Sequence, residues 1–95
     1  MKKETYRRRE VTFEVEIDEK IKVTAKGYSK QTVRVSGAGE NSQSYTMDES
    51  AIPILECDKK SLSGGDGITI SVGTSDVLSI KKTLFGIKVL EINSM

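Results

Sequence analysis

Residues 11–17, Val-Thr-Phe-Glu-Val-Glu-Ile, alternate strictly between apolar and polar side chains, and this alternation restricts the fold more than any other feature. A period of two places all the apolar side chains on one face of a β-strand, so the segment predicts a half-buried strand. The alternation resumes over residues 21–26, after a short Asp-Glu-Lys turn. Pairing Ile17 with Ile21 aligns the two apolar faces, whereas a slip of one residue would turn one of them toward solvent. The sequence therefore predicts a hairpin of defined register.

Other alternating or apolar segments predict further strands. Residues 31–36 predict a third strand that pairs with the second, which would complete a three-stranded meander over residues 11–36. Four more short apolar segments lie between turn-forming residues: 52–57, 68–72, 77–80 and 85–92. Pro53 has no N–H for a ladder bond and predicts an edge position for the first of these. The pattern predicts an all-β single domain, an antiparallel barrel or sandwich of about seven short strands.

Composition supports strands and excludes several kinds of chemistry. Val, Ile and Thr together number 25 of the 95 residues, against three Ala, and β-branched side chains favour the pleated surface of a sheet. The chain has no His and only one Cys, Cys57. It therefore lacks the residues for Ser-His-Asp or Cys-His catalysis, for an internal disulfide and for a Cys-based zinc site. We expect Cys57 to be a core residue, and we expect no enzyme activity and no cofactor.

Charge is distributed unevenly along the chain. Residues 1–34 carry ten basic and six acidic side chains, residues 35–58 carry five acidic and no basic ones, and residues 59–95 carry five basic and three acidic. The local net charges of +4, −5 and +2 sum to the overall +1. This division predicts a basic N-terminal arm at residues 1–10 and a single β domain at 11–95. That domain would contain a long acidic loop, rich in Ser and Gly, at residues 37–51, in which residues 44–47 are a candidate short strand.

The N-terminal cluster is a candidate nucleic-acid site. Its basic side chains would neutralise phosphates and its aromatic ring would stack on a base: Lys2, Lys3, Tyr6, Arg7, Arg8 and Arg9. A solvated terminus that leads into the first strand explains the same residues. A general nucleic-acid binder usually has a clear basic excess, which this chain lacks.

A second set of residues predicts a protein-binding surface. Loops on a rigid sheet are the usual place for recognition, and Tyr and Arg are enriched in interface hot spots. The candidates are Tyr28, Arg34, Glu40, Tyr45, Asp48 and Glu49. The acidic members would suit a basic partner, including a nucleic-acid-binding protein whose site they would block. Ordinary loop and strand positions explain these residues equally well.

Two further motifs predict little beyond surface structure. Asp48 with Glu49, and Asp58 with Asp66, supply oxygen atoms but match no defined calcium loop, so we expect no metal site. The glycine-rich residues 62–67 resemble an anion-cradling loop, yet they lack the lysine and the helix of a P-loop. A hairpin or bulge that needs positive φ explains them as well.

The favoured function is a small non-catalytic binding protein. In its small size and its histidine-free, β-rich composition the chain resembles short phage and mobile-element proteins, so an inhibitor or assembly protein is the functional expectation. The alternative is a small β-barrel that binds nucleic acid through the basic arm. No signal peptide or membrane segment is evident, and Cys57 is unpaired, so we expect a cytoplasmic protein without membrane contact. Exposed strand edges predict a homo-oligomer.

Overall fold

A computed structural model describes residues 2–28, 30–37, 40–62 and 67–92, apart from the side chains of residues 2, 40, 41 and 61. Within these residues the protein contains nine β-strands and one turn of 3₁₀ helix at Lys59–Ser61. The strands are β1 (Lys2–Arg8), β2 (Val11–Ile17), β3 (Lys20–Gly27), β4 (Thr32–Gly37), β5 (Glu40–Thr46), β6 (Ile52–Asp58), β7 (Gly67–Val72), β8 (Ser75–Thr83) and β9 (Gly86–Glu91). The predicted all-β class is confirmed.

The strands form two antiparallel sheets. Sheet A has four strands in the order β1-β2-β3-β6, and sheet B has five in the order β5-β4-β7-β8-β9. The two sheets pack face to face and do not close into a barrel, so the architecture is a sandwich. Their inner faces share one apolar core, whose largest fully buried side chains include Phe13, Ile21, Met47, Leu62, Ile68, Ile70, Leu78 and Ile80.

The hairpin register is confirmed residue by residue. Ile17 pairs with Ile21, Val15 pairs with Val23, and Phe13 pairs with Ala25. All of these side chains are buried, because the period of two sends alternate residues of β2 and β3 into the core. Pro53 also lies where the sequence predicts, on the edge strand β6.

The third strand of the predicted meander is wrong. Sheet A does begin with a meander, but it is formed by β1, β2 and β3, while β4 crosses to sheet B and pairs with β5 and β7. Val33 and Val35 lie opposite Val72 and Ile70 on β7. The two valines are therefore buried next to apolar residues in sheet B, as they would be next to β3 in sheet A. The alternating pattern determines which face of a strand is buried, but it does not determine which strand pairs with it.

The two irregular regions of the sequence prediction contain strands. Residues 2–8 are β1, paired along its length with β2, and not a separate basic arm. The predicted loop at residues 37–51 contains β5, which pairs with β4 and is longer than the candidate strand at 44–47. Both are edge strands, which bury few side chains and therefore carry little apolar signal.

The sandwich has two ends, which we call the tip end and the far end. The tip end holds the β2–β3 turn at residues 18–19, the 3₁₀ turn and the β8–β9 turn at residues 84–85. The far end holds the turns at residues 9–10 and 73–74, Tyr28, and the segments 30–31 and 47–51. Backbone hydrogen bonds tie the far end together, for example from the Glu49 N–H to the Gly27 carbonyl at 2.8 Å.

Candidate functional site

The turn between β8 and β9 presents two large apolar side chains to solvent. Leu84 and Phe85 are each 98 % exposed, far more than any other large apolar residue that the structure describes. The turn itself is held by other residues. The Thr83 hydroxyl donates to the Gly86 carbonyl at 2.9 Å and accepts from the Phe85 N–H at 3.1 Å. Gly86 adopts the positive φ of +120° that the turn requires. The turn conformation therefore does not require Leu or Phe at positions 84 and 85.

An open groove of about 1030 Å³ lies beside this tip. The β8–β9 hairpin forms one wall with Lys82, Phe85 and Ile87, and Ile17 contributes apolar surface at the end of β2. The opposite wall joins the β2–β3 turn to the 3₁₀ turn, where the Lys59 N–H donates to the Glu19 carbonyl at 3.0 Å. The groove is therefore built from strand ends and three turns, two of which a backbone hydrogen bond joins.

The hairpin that carries the tip is basic. Lys81 and Lys88 lie opposite each other on its outer face, and Lys82 faces the groove beside Ile87. No acidic residue occurs between Asp76 and Glu91. The opposite wall of the groove has mixed charge: Asp18, Glu19, Asp58, Lys59 and Lys60. Positive charge is thus concentrated around the apolar tip itself.

Three of the sequence-predicted contact residues come together at the far end. Tyr28 follows β3 and is exposed, while Asp48 and Glu49 are exposed on the segment that bonds to Gly27. The Asp48 carboxylate also accepts a hydrogen bond from the Ser50 N–H at 3.2 Å. The backbone therefore brings these three residues to one end of the sandwich, and their role in binding stays a prediction.

The far end also holds the unusual backbone of the structure. Among the described residues, every non-glycine residue with positive φ lies there: Arg9 (49°), Glu10 (67°), Lys30 (67°) and Glu49 (76°). Such conformations are uncommon for residues with a Cβ atom. Hydrogen bonds between the loops hold them, including one from Gln31 Nε2 to the Arg9 carbonyl at 2.8 Å.

The other three predicted contact residues lie elsewhere. Arg34 is exposed on the outer face of sheet B, opposite Ser44 and Ser71. Tyr45 is half-buried against the core, and its hydroxyl donates to Gln43 Oε1 at 2.7 Å. Glu40 begins β5 near the tip end, and its side chain lies outside the described part of the chain. The six residues therefore do not form a single surface.

The basic N-terminal residues are divided between the two faces of β1. Lys3 and Arg7 face outward, where Lys3 Nζ lies 3.2 Å from Glu14 Oε1. Arg8 faces inward and its Nε lies 3.4 Å from Glu91 Oε1 on β9, which links the edges of the two sheets. Arg9 lies in the following turn, and the side chain of Lys2 is not among those described. The predicted phosphate-binding cluster is thus dispersed.

Tyr6 is a structural residue. Its ring packs against the core, and its hydroxyl donates to the Glu4 carboxylate. Burial, the hydrogen bond to Glu4 and the nearby negative charges of Glu4 and Glu91 raise the pKa of Tyr6 to about 12, because each of them disfavours the phenolate. The ring is therefore partly covered by the core, and its stacking on a base stays a prediction.

The remaining candidate motifs are also separated. Cys57 is half-buried and packs against the core. Asp48 and Asp58 lie at opposite ends of the sandwich, and Asp66, with most of the glycine-rich loop, lies outside the described residues. Within the ranges that the structure describes, no three Cys, Asp or Glu side chains are grouped to hold a metal ion. The same ranges contain no helix long and apolar enough to cross a membrane.

Sequence reasoning missed the tip. The mostly apolar residues 85–92 predict that Phe85 begins the last strand. The available signal was the pair Leu84-Phe85 between Lys81-Lys82-Thr83 and Gly86, where a turn usually carries polar residues. No family model, no curated protein and no solved structure matches this chain. Its function is therefore inferred from its own surfaces.

Proposed function

We propose that this protein is a small non-catalytic binding protein that acts by occupying a surface of another protein, with the Leu84–Phe85 tip as its anchor. The observation that carries the proposal is the exposure of both side chains on a turn that Thr83 and Gly86 already stabilise. Exposed apolar groups that do not serve the fold are typical of interaction sites. A few side chains that enter pockets of the partner supply most of the affinity of many interfaces.

The energetic gain from such an anchor is substantial. Moving one large apolar side chain from water into a protein interior is worth roughly 1.5–3 kcal/mol. The tip is presented by a hairpin whose turn is internally hydrogen-bonded, so little backbone entropy is lost on binding. Two such anchors together contribute roughly 3–6 kcal/mol, and contacts around them must supply the rest of the free energy that offsets the cost of association.

The charge around the tip restricts the partner. Lys81, Lys82 and Lys88 lie within three strand pairs of the tip, and no acidic residue occurs between Asp76 and Glu91 at the base of the hairpin. Complementary charge increases association rates and excludes wrong partners. We expect a partner with an apolar pocket bordered by acidic side chains. More specifically, we propose an inhibitor or assembly protein of phage or mobile-element type that acts in the cytoplasm.

Removing the tip is expected to abolish partner capture. The change is Leu84→Ser with Phe85→Ser, which removes both anchors and keeps the turn-forming residues Thr83 and Gly86. The matched control is Asp48→Asn with Glu49→Gln, at the far end, which removes charge but keeps the Asp48 oxygen that bonds Ser50. The measurement is affinity capture from cells of the source, followed by titration of the purified partner against each variant.

The control variant also tests the acidic-surface hypothesis of the sequence analysis. A partner that is lost with the tip variant and retained by the control supports the proposal. A partner that is lost only with the control would transfer the site to the far end, where a basic partner is expected. Equal capture by both variants, or no capture by the native chain, would contradict the proposal.

Direct nucleic-acid binding is the second candidate, and we expect it to be absent. The outward faces of sheet A place the basic residues of β1 and β3 next to the acidic residues of β2 and β6, as in the Lys3–Glu14 and Lys20–Glu56 ion pairs. Neighbouring carboxylates weaken the phosphate attraction that such binding needs. Single- and double-stranded oligonucleotides should therefore show no salt-dependent binding in an anisotropy titration.

The variant for this test is Lys3→Ser with Arg7→Ser. Deleting residues 1–9 would remove β1 and expose the side of β2 that it covers, so a loss of binding after deletion would be ambiguous. Oligonucleotide binding that falls steeply with salt, and that the double substitution removes, would replace the proposed function with the nucleic-acid one.

A further inference from the structure

We propose that the outer edge of β5 pairs with the β5 edge of a second copy of this chain, antiparallel about a two-fold axis, so that the two five-stranded sheets become one continuous sheet. An unpaired strand edge carries free N–H and C=O groups that another strand can complete. The proposal depends on β5 and not on the Leu84–Phe85 tip, so each can fail without the other.

The other edges of the sandwich are protected. The sheet orders leave four edge strands, β1, β6, β5 and β9. The β1 and β9 edges are linked by the Arg8–Glu91 ion pair, and β1 carries four basic residues. β6 contains Pro53 and a register shift opposite residues 23–24. Charge, proline and irregular pairing are the usual devices that prevent strand addition.

Over residues 43–46, Gln-Ser-Tyr-Thr, β5 has none of these devices: the segment contains neither charge nor proline, and the register shift between β5 and β4 lies nearer to Glu40. Within the described residues, its one strand partner is β4. The Met47 N–H and C=O both bond toward β4, to Gln31 and Lys30. Backbone groups of successive strand residues point to alternate sides, which directs those of Ser44 and Thr46 to the outer edge.

A second copy fits this edge better than a charged partner does. Two antiparallel β5 strands about a two-fold axis place equivalent uncharged residues across from one another, and every backbone donor meets an acceptor. The nearest basic side chain on the outer face, Arg34, is on β4, one strand away from the edge. The Arg34 side chains of the two copies would therefore not face each other across the new contact. A single strand pair buries little area, so we expect association in the micromolar range.

The test uses two substitutions at Ser44 and one control. Ser44→Pro removes an outward N–H that the monomer ladder does not use, and Ser44→Lys places two like charges near the two-fold axis. Thr32→Lys adds the same charge at an exposed outer-face position on β4, away from the edge. Light scattering after size exclusion gives the mass of each variant over a range of micromolar concentrations.

We expect the native chain and Thr32→Lys to approach twice 10.5 kDa, and both Ser44 variants to remain at the monomer mass. If Ser44→Pro does not fold, Ser44→Lys decides the question alone. A native chain that stays monomeric at the highest concentration would overturn the proposal, as would a dimer that persists in Ser44→Lys. A dimer lost in the Leu84→Ser, Phe85→Ser variant and kept in Ser44→Lys would assign self-association to the tip instead.

Discussion

Replacing Phe13 with alanine is expected to lower the free energy of unfolding by about 3–5 kcal/mol, whereas the same substitution at Phe85 is expected to leave it within about 0.5 kcal/mol of native. Phe13 is fully buried on β2 between the two sheets, and Phe85 is 98 % exposed at the hairpin tip. Removing the Phe13 ring creates a cavity that the flanking strands cannot fill. Removing the Phe85 ring takes away almost no contact within the chain.

The measurement is urea unfolding followed by far-ultraviolet circular dichroism, since the chain has no Trp to report by fluorescence. The two variants remove the same ring, so the difference between their stabilities reports its burial. A domain of this size has only ~5–15 kcal/mol to lose, and the Phe13 variant should unfold at a much lower urea concentration. A similar loss in both variants would contradict the described core and tip together.

The Phe85 result also bears on function. A variant that keeps native stability but loses its partner would show that the ring is retained for binding, because nothing in the fold requires it. Most surface substitutions have small effects on stability, so partner capture and unfolding can be measured on the same protein. The combination separates an interaction residue from a structural one.

The core strands could be predicted from the sequence because they alternate. Residues 11–17 and 21–26 place apolar side chains at every second position, and any other register would expose them. Pro53 likewise has a chemical reason to lie at an edge. In these places local chemistry and global packing favour the same structure, which is why the predicted and observed pairs agree.

The edge strands could not be predicted in the same way. β1 buries little besides Tyr6, and β5 is polar apart from Tyr45. Edge strands are stabilised mainly by backbone hydrogen bonds to their neighbours, which leave no side-chain signal. The sequence also does not predict whether β4 belongs to sheet A or to sheet B, because its two buried valines match the apolar faces of both sheets.

The candidate surfaces were only partly predictable for a related reason. Exposure is a property of the assembled fold, and a Leu-Phe pair beside a predicted strand is most simply assigned to the core. The positive φ angles of Arg9 and Glu10 were also hidden, because tight hairpin turns of that geometry usually carry Asn-Gly. Tyr28 precedes β4 and Glu49 follows β5. Because β4 and β5 form an antiparallel hairpin, these two residues lie at the same end of it.

Gly37 is the position where a single methyl group is expected to be most damaging. It ends β4 with a φ of +116°, and a Cβ atom added there would lie 2.1 Å from the Gly67 carbonyl oxygen and 3.0 Å from the Ile68 Cα. Both neighbours are backbone atoms of the paired strand β7, so neither can rotate away. Gly86 is the matched control, because its φ is +120° but its Cβ would meet nothing within 4 Å.

Both alanine substitutions incur the cost of an unfavourable backbone angle, about 1–3 kcal/mol. Only Gly37→Ala also forces β4 and β7 apart at the point where sheet B closes over the core, so we expect it to lose several kcal/mol more and to unfold at far lower urea. Thermal and urea unfolding of the two variants side by side measure that difference. Equal destabilisation would mean that β4 and β7 do not approach as closely as described, because the φ cost is common to both and only the steric contact distinguishes them.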